Sequence, residues 1–175
     1  SKELSNLIYW HLERINANIL YSIAQDNNHG TSEAAALFIG GAFLEKSNPL
    51  FYPKAKSYSI KGRKWIENRV SKLIEKDGSF SQHSVNYHRL MLDSLSFCEF
   101  WRIKLNQKEL SIQFYEKTKA ATNWLFYLTD YSSGNAVNLG ANDGALLNNL
   151  NSSDYRDFRP SIQMAAALFL KTKLF

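Results

Sequence analysis

The chain has 175 residues, 45% of them hydrophobic and 14% aromatic, which is enough for one buried core and too much for a disordered segment. Its 21 Lys and Arg against 16 Asp and Glu leave a net charge of +5, which suits an anionic partner without making a basic stripe for nucleic acid. With 8 Gly and 3 Pro there are too few turn signals for a many-stranded sandwich, and a single cysteine, Cys98, excludes an internal disulfide and any multi-cysteine zinc site.

From Glu3 to about Ile23, Leu4, Leu7, Ile8, Trp10, His11, Ile15, Ile19, Leu20 and Ile23 recur at helical spacing, so the chain opens on an amphipathic helix ending near Gln25. Charges inside this pattern exclude a signal peptide or a membrane span, and no later apolar run reaches spanning length. Opening directly in a helix with no leader, the chain is expected to be a piece of a longer protein. The polar cluster Asp26 to Thr31 breaks the first helix, and Thr31 or Ser32 is expected to cap a second one through EAAALFIGGAF, where Gly40 and Gly41 predict close packing. A third helix is predicted from about Ala55 to Lys76, with Ile60, Trp65, Ile66, Val70, Leu73 and Ile74 on one side. Its other side is basic through Lys54, Lys56, Lys61, Arg63, Lys64, Arg69, Lys72 and Lys76, which reads first as a solvated face and second as a steering surface for an acidic polymer.

Asp77 and Gly78 mark a turn, after which Ser84 is placed to cap a fourth helix running to about Leu105. Tyr87, Leu90, Met91, Ser94, Leu95, Cys98 and Trp101 form one stripe of it. A fifth helix is predicted over roughly Lys108 to Leu128. Tyr131 to Tyr155, rich in Asn, Ser, Gly and Asp, reads as a long irregular segment of the kind that is usually functional or disordered. Pro160 opens a last short helix. The fold class expected is all-α, with antiparallel helical hairpins in one domain over residues 1 to 175.

In such an array, loops at one end converge on a common face, and three polar junctions stand out. They are Asn27 to Gly30, Gln82 to His88, and Asn142 to Gly144 with Arg159 close by in sequence. Asn offers a neutral donor and acceptor, Tyr exchanges a proton when its surroundings tune it, and His does either near neutrality. Each residue also has an ordinary reading. Asn28 suits a turn or a helix cap, Tyr87 a core aromatic beside Met91 and Leu95, and His29 and His88 a helix cap or a backbone contact, while His83 aligns with Tyr87 only if the helix begins a turn earlier. No HExxH pattern and no paired ligand spacing occurs, so no metal and no cofactor are expected.

The strings NNHGTSEAAALFIGGAFL, DGSFSQHSVNYHRLMLDSL, NLGANDGALL and FRPSIQMAAALF resemble the α-helical toroid domain of the heparinase II/III-like polysaccharide lyases, over most of the chain from about Asn18 to Phe169. The resemblance implies part of an (α/α) toroid, incomplete as a ring, followed in family members by a β-sandwich domain that these residues do not encode. It implies β-elimination of a uronate-containing, acidic polysaccharide, in which the proton beside the carboxylate is removed and the glycosidic oxygen departs. Asn28 matches the family's carboxylate-neutralising Asn and Tyr87 its proton-transferring Tyr. His29, His88, Gln82, Asn142, Asp143 and Arg159, from the three polar junctions, are the candidates for substrate contacts, although the family pattern has Glu where this chain has Gln82. The resemblance further implies a periplasmic or secreted protein and an isolated chain that is inactive without its sandwich. Self-association through the apolar end at Phe169, Leu170, Leu174 and Phe175 is the expectation for a chain lacking that partner. The contrasting reading is a non-catalytic glycan-binding or assembly domain with the same fold.

Overall fold

A computed structural model of the chain describes residues 1 to 148 and 152 to 175. Five long helices run antiparallel in sequence: α1 (Lys2–Ala24), α2 (Asn28–Ser47), α3 (Ala55–Leu73), α4 (Val85–Lys104) and α5 (Ile112–Tyr127). A short α6 (Arg159–Ala165) follows and continues into a π-helical turn (Ala166–Leu170), which ends at Lys171 in the left-handed region. Among the described residues there are only isolated bridges, such as Ile74 with Phe80, and no strand. The all-α hairpin reading therefore holds. The irregular segment after α5 is also observed, with positions 149 to 151 outside the described residues.

The helices lie in two rows. α2, α4 and α6 neighbour one another in one row, α1, α3 and α5 in the other, and consecutive helices pack across the rows except α3 and α4, which do not touch. The tightest approach is between α2 and α3. A methyl group on Gly62 would sit 2.2 Å from the Phe38 backbone nitrogen, and one on Gly41 would sit 2.4 Å from that of Ser59, so only glycine lets these backbones meet. Gly40, by contrast, faces only the flexible side chains of Leu12 and Ile8.

Several boundaries and faces differ from the sequence reading. α2 begins at Asn28, earlier than Thr31 or Ser32 allows, because extended Asn27 accepts the His29 N–H and so caps the helix. α3 stops at Leu73 because Ile74 is extended and the following turn closes on itself, the Glu75 N–H donating to Ser79 O and the Ser81 N–H to Leu73 O. α5 starts at Ile112, where Ser111 accepts the Phe114 N–H. On α1, Leu12, Ile19 and Ile23 face the core, while Leu4, Leu7, Trp10 and Leu20 are exposed. α4 is covered almost all round, so its stripe is not the whole of its buried surface. Asn86, His88, Arg89, Asp93, Ser96 and Glu99 are buried on it as well.

Candidate functional site

The hairpin topology brings the α1–α2 connection, the α3–α4 connection and the segment after α5 to one end of the bundle, and hydrogen bonds join them there. Asp26 pairs with Arg69 and with Lys72 at the end of α3, both at 2.7 Å, and these cations hold its carboxyl below the usual carboxylate range through their hydrogen bonds. The Ser81 hydroxyl donates to Asp26 O. The Asn28 N–H, an orphan donor of the first helical turn, donates to Gln82 Oε1 at 2.9 Å. Gln82 thus serves here as a tie between the two loops.

Ser84 caps α4 as expected, accepting the Tyr87 N–H at 3.2 Å, while its hydroxyl donates to Ala141 O at 2.5 Å. The Val85 N–H donates to Leu139 O at 3.0 Å. The long segment is therefore stitched onto the start of α4. There the Tyr87 hydroxyl donates to Asp143 Oδ2 at 2.6 Å. That bond, followed by partial desolvation and the Asp143 charge, pushes the Tyr87 pKa up and correspondingly draws Asp143 down. One residue earlier on α4, Asn86 Oδ1 accepts from the Tyr155 hydroxyl at 2.8 Å, and that hydroxyl also lies 2.5 Å from Asn142 Oδ1.

Asn28 and Tyr87, Gln82, Asn142 and Asp143 thus share one end of the bundle, with Asn28 buried and Asn142 and Asp143 exposed. His29 is exposed on the first turn of α2, next to Asn28. Two candidates are engaged in other ways. His88, expected in the cleft, points into the core. It is 1% exposed, its Nε2 meets Ala121 O at 2.9 Å, and its ring stacks on Trp124 at 4.6 Å between centroids. Burial pushes its pKa down to about 4, so it stays a neutral core residue. Its neighbour Tyr87, half-buried against the core, sends its hydroxyl out to Asp143, because adjacent helical positions point about 100° apart. Arg159 is held by Asp157 at 2.8 Å and by the carbonyls of Tyr131 and Ser132, so its work is to fold the segment's base.

The sequence reading missed the anchor of that segment. Arg89, 1% exposed, donates to Tyr155 O at 2.6 Å and to Asn86 Oδ1 at 3.0 Å, with its guanidinium 4.6 Å from the Tyr155 ring centroid and 4.1 Å from that of Phe158. Asn86, Arg89 and Asp93 recur at spacings of three and four, and that polar row within an apolar helix was the available signal. A cavity of about 340 Å³ lies against these loops, lined in part by Asn86, Asn142, Tyr155, Arg156 and Phe158. Exposed Arg156, also missed, adds a cation to that lining.

Among the described residues no group of three His, Cys, Asp or Glu side chains could hold a metal ion. No helix there is long and apolar enough to cross a membrane. No family model, no curated protein and no solved structure matches the chain.

Proposed function

We propose that this chain is the helical domain of a polysaccharide lyase that cleaves a uronate-containing polymer by β-elimination, within the (α/α) toroid fold of the heparinase II/III-like family. The observation that supports this most is the shared placement of Asn28 and Tyr87. Both stand in the first turn of their helices at one end of the bundle, tied through Gln82 and Ser84.

β-Elimination needs the substrate carboxylate neutralised, so that charge developing beside it is stabilised, and a proton carrier within reach of the scissile bond. In this reading the Asn28 amide meets the carboxylate, with His29 and Arg156 able to add donors. Tyr87 carries the proton. Its bond to Asp143 keeps it protonated in the free protein, which suits donation to the departing glycosidic oxygen. To serve as the base as well, the hydroxyl must first lose its own proton to solvent, and the proton it then takes from the sugar is the one passed to the departing glycosidic oxygen. The test is ultraviolet absorbance of the unsaturated end formed on uronate polymers by the native-length protein. Tyr87→Phe is expected to lower turnover by on the order of a hundred-fold or more with an unchanged far-ultraviolet circular dichroism spectrum. Wild-type turnover in that variant rejects the assignment.

A second reading, a non-catalytic acidic-glycan-binding domain, draws support from the same Tyr87 to Asp143 bond, which occupies the hydroxyl. It predicts affinity for the polymer with no unsaturated product.

A further inference from the structure

In the row of α1, α3 and α5, the first two helices leave an open groove of about 770 Å³. Lys56, Lys61 and Lys64 line it above a floor that includes Leu20, Ile60 and Trp65, and no acidic side chain contributes to the lining. The other cations of α3, and Lys54 just before it, are already paired. Lys54 meets Glu13, Arg63 meets Glu67, and Arg69 and Lys72 share Asp26. Among the described residues none of the three groove lysines has an acidic partner. Lys61 instead donates to the neutral Asn16 side chain, which fixes its position while leaving its charge uncompensated. The Lys64 ammonium lies 5.7 Å from the Trp65 ring centroid, so cation and ring present one surface.

Positions 56, 60 and 64 follow one another at four-residue steps, a stripe about 12 Å long on an α-helix. Its ends are positive and its middle is apolar, with Ser57 beside it as a hydroxyl. We infer that this α1–α3 groove is a second binding track for the acidic polysaccharide, separate from the loop face and resting on the proposed function above. Carboxylates spaced along the chain meet the ammonium groups, and the apolar faces of the sugar rings lie on Ile60 and Trp65. The lining disfavours nucleic acid. It contains no arginine, whose fork matches phosphate in two hydrogen bonds, and a single aromatic ring gives successive bases nothing to stack on.

The test measures affinity of the 175-residue chain for a labelled oligogalacturonate and for a single-stranded oligonucleotide of equal charge, at low and physiological salt. The groove variant Lys56→Gln/Lys61→Gln/Lys64→Gln is compared with Lys119→Gln/Lys171→Gln/Lys173→Gln, which removes the same charge from exposed positions elsewhere. The groove variant should bind the oligogalacturonate at least about tenfold more weakly, and the control within roughly twofold of wild type, because local rather than net charge decides. Lys56→Gln/Lys64→Gln, which keeps the Lys61 to Asn16 bond, should reproduce most of the loss in a chain whose thermal midpoint is unchanged. Equal weakening in both triple variants, tighter binding of the oligonucleotide, or no binding by wild type overturns the groove assignment. Binding that depends on the groove, with no cleavage by the native-length protein, retires the lyase reading alone. Cleavage with unaltered affinity in the groove variant retires the groove alone.

Discussion

Tyr87 and Asp143 lie 56 positions apart and meet through a 2.6 Å hydrogen bond in which the phenol donates to the carboxylate. The carboxylate's charge and its acceptance of that proton both oppose ionisation of the phenol, so Tyr87 titrates above the usual tyrosine range. Asp143→Asn should bring the Tyr87 titration back down. Carbon-13 labelling of the tyrosine ring carbon that bears the hydroxyl, followed from pH 8 to 12, reads this directly. An unshifted Tyr87 resonance profile in Asp143→Asn would show that the bond does not form in solution.

Asn27 and Asn28 should separate into a structural and a functional residue. Asn27 caps α2, so Asn27→Ala is expected to cost about 1 kcal/mol in urea unfolding. The Asn28 side chain is not that cap. Asn28→Ala should therefore leave stability within about 1 kcal/mol of wild type, since this buried side chain is not the cap of α2. In the lyase reading it should still strip turnover from the native-length protein. A larger stability loss in Asn28→Ala than in Asn27→Ala would assign the position to folding.

Arg89 should be the strongest single anchor of the 131 to 158 segment. Arg89→Met keeps the bulk and removes the donors, leaving Tyr155 O and Asn86 Oδ1 without them. The expected destabilisation is about 3 kcal/mol, against about 1 kcal/mol for Tyr155→Phe, which loses one hydroxyl proton shared between Asn86 and Asn142. Hydrogen exchange should accelerate at the Val85 and Phe158 amides, which donate to Leu139 O and Gly134 O across the seam. If those amides stay protected in Arg89→Met, the segment is held by other contacts.

Two buried groups of α4 should oppose each other in their pH dependence. The His88 pKa falls from 6.5 to about 4 through burial, so between those values the unfolded chain binds a proton that the folded one does not. Stability is then lost as pH falls through this window. The Asp93 pKa rises from 3.8 to about 6, mainly by burial, and here the folded chain holds the extra proton. Stability is then lost as pH rises from about 4 to 6. Each contribution is about 3 kcal/mol at about 1.4 kcal/mol per pKa unit, and in wild type they largely offset. Relative to wild type, His88→Phe should gain stability progressively below pH 6.5, and Asp93→Asn should gain it between pH 4 and 6. Urea midpoints across pH 3.5 to 8 measure both differences, and a difference that is flat with pH removes that residue from the account.

Local signals carried the helices and the cap at Ser84, because periodicity and capping act over a few residues. They also carried the end of the bundle on which Asn28 and Tyr87 fall, since hairpin order alone decides that. They did not carry the facing of His88 or the role of Arg89. A helix covered on nearly all sides has no single polar face, so the pattern of α4 cannot tell which polar residue turns inward. The partners of Tyr87, Asn86 and Arg89 lie 56 to 69 positions away in an aperiodic segment, and nothing local encodes such pairings. On α1, Trp10 and Leu12 are equally apolar, and only the third dimension decides that one is exposed and the other buried.

The backbone contact at Gly41 and Gly62 also has a mechanical meaning. With no side chain between them, α2 and α3 cannot slide or roll past each other without a steric collision, so the hairpin moves as one lever. Asn28 rides on that lever, and Asp26 with its two cations bolts the end of α1 to it. Asp143 rides on a segment fastened to α4 by separate bonds at Ser84, Val85 and Arg89. Asn28 thus stands on the lever and Asn142 and Asp143 on a strap fastened to α4, so two separately anchored pieces meet at the end of the bundle they share.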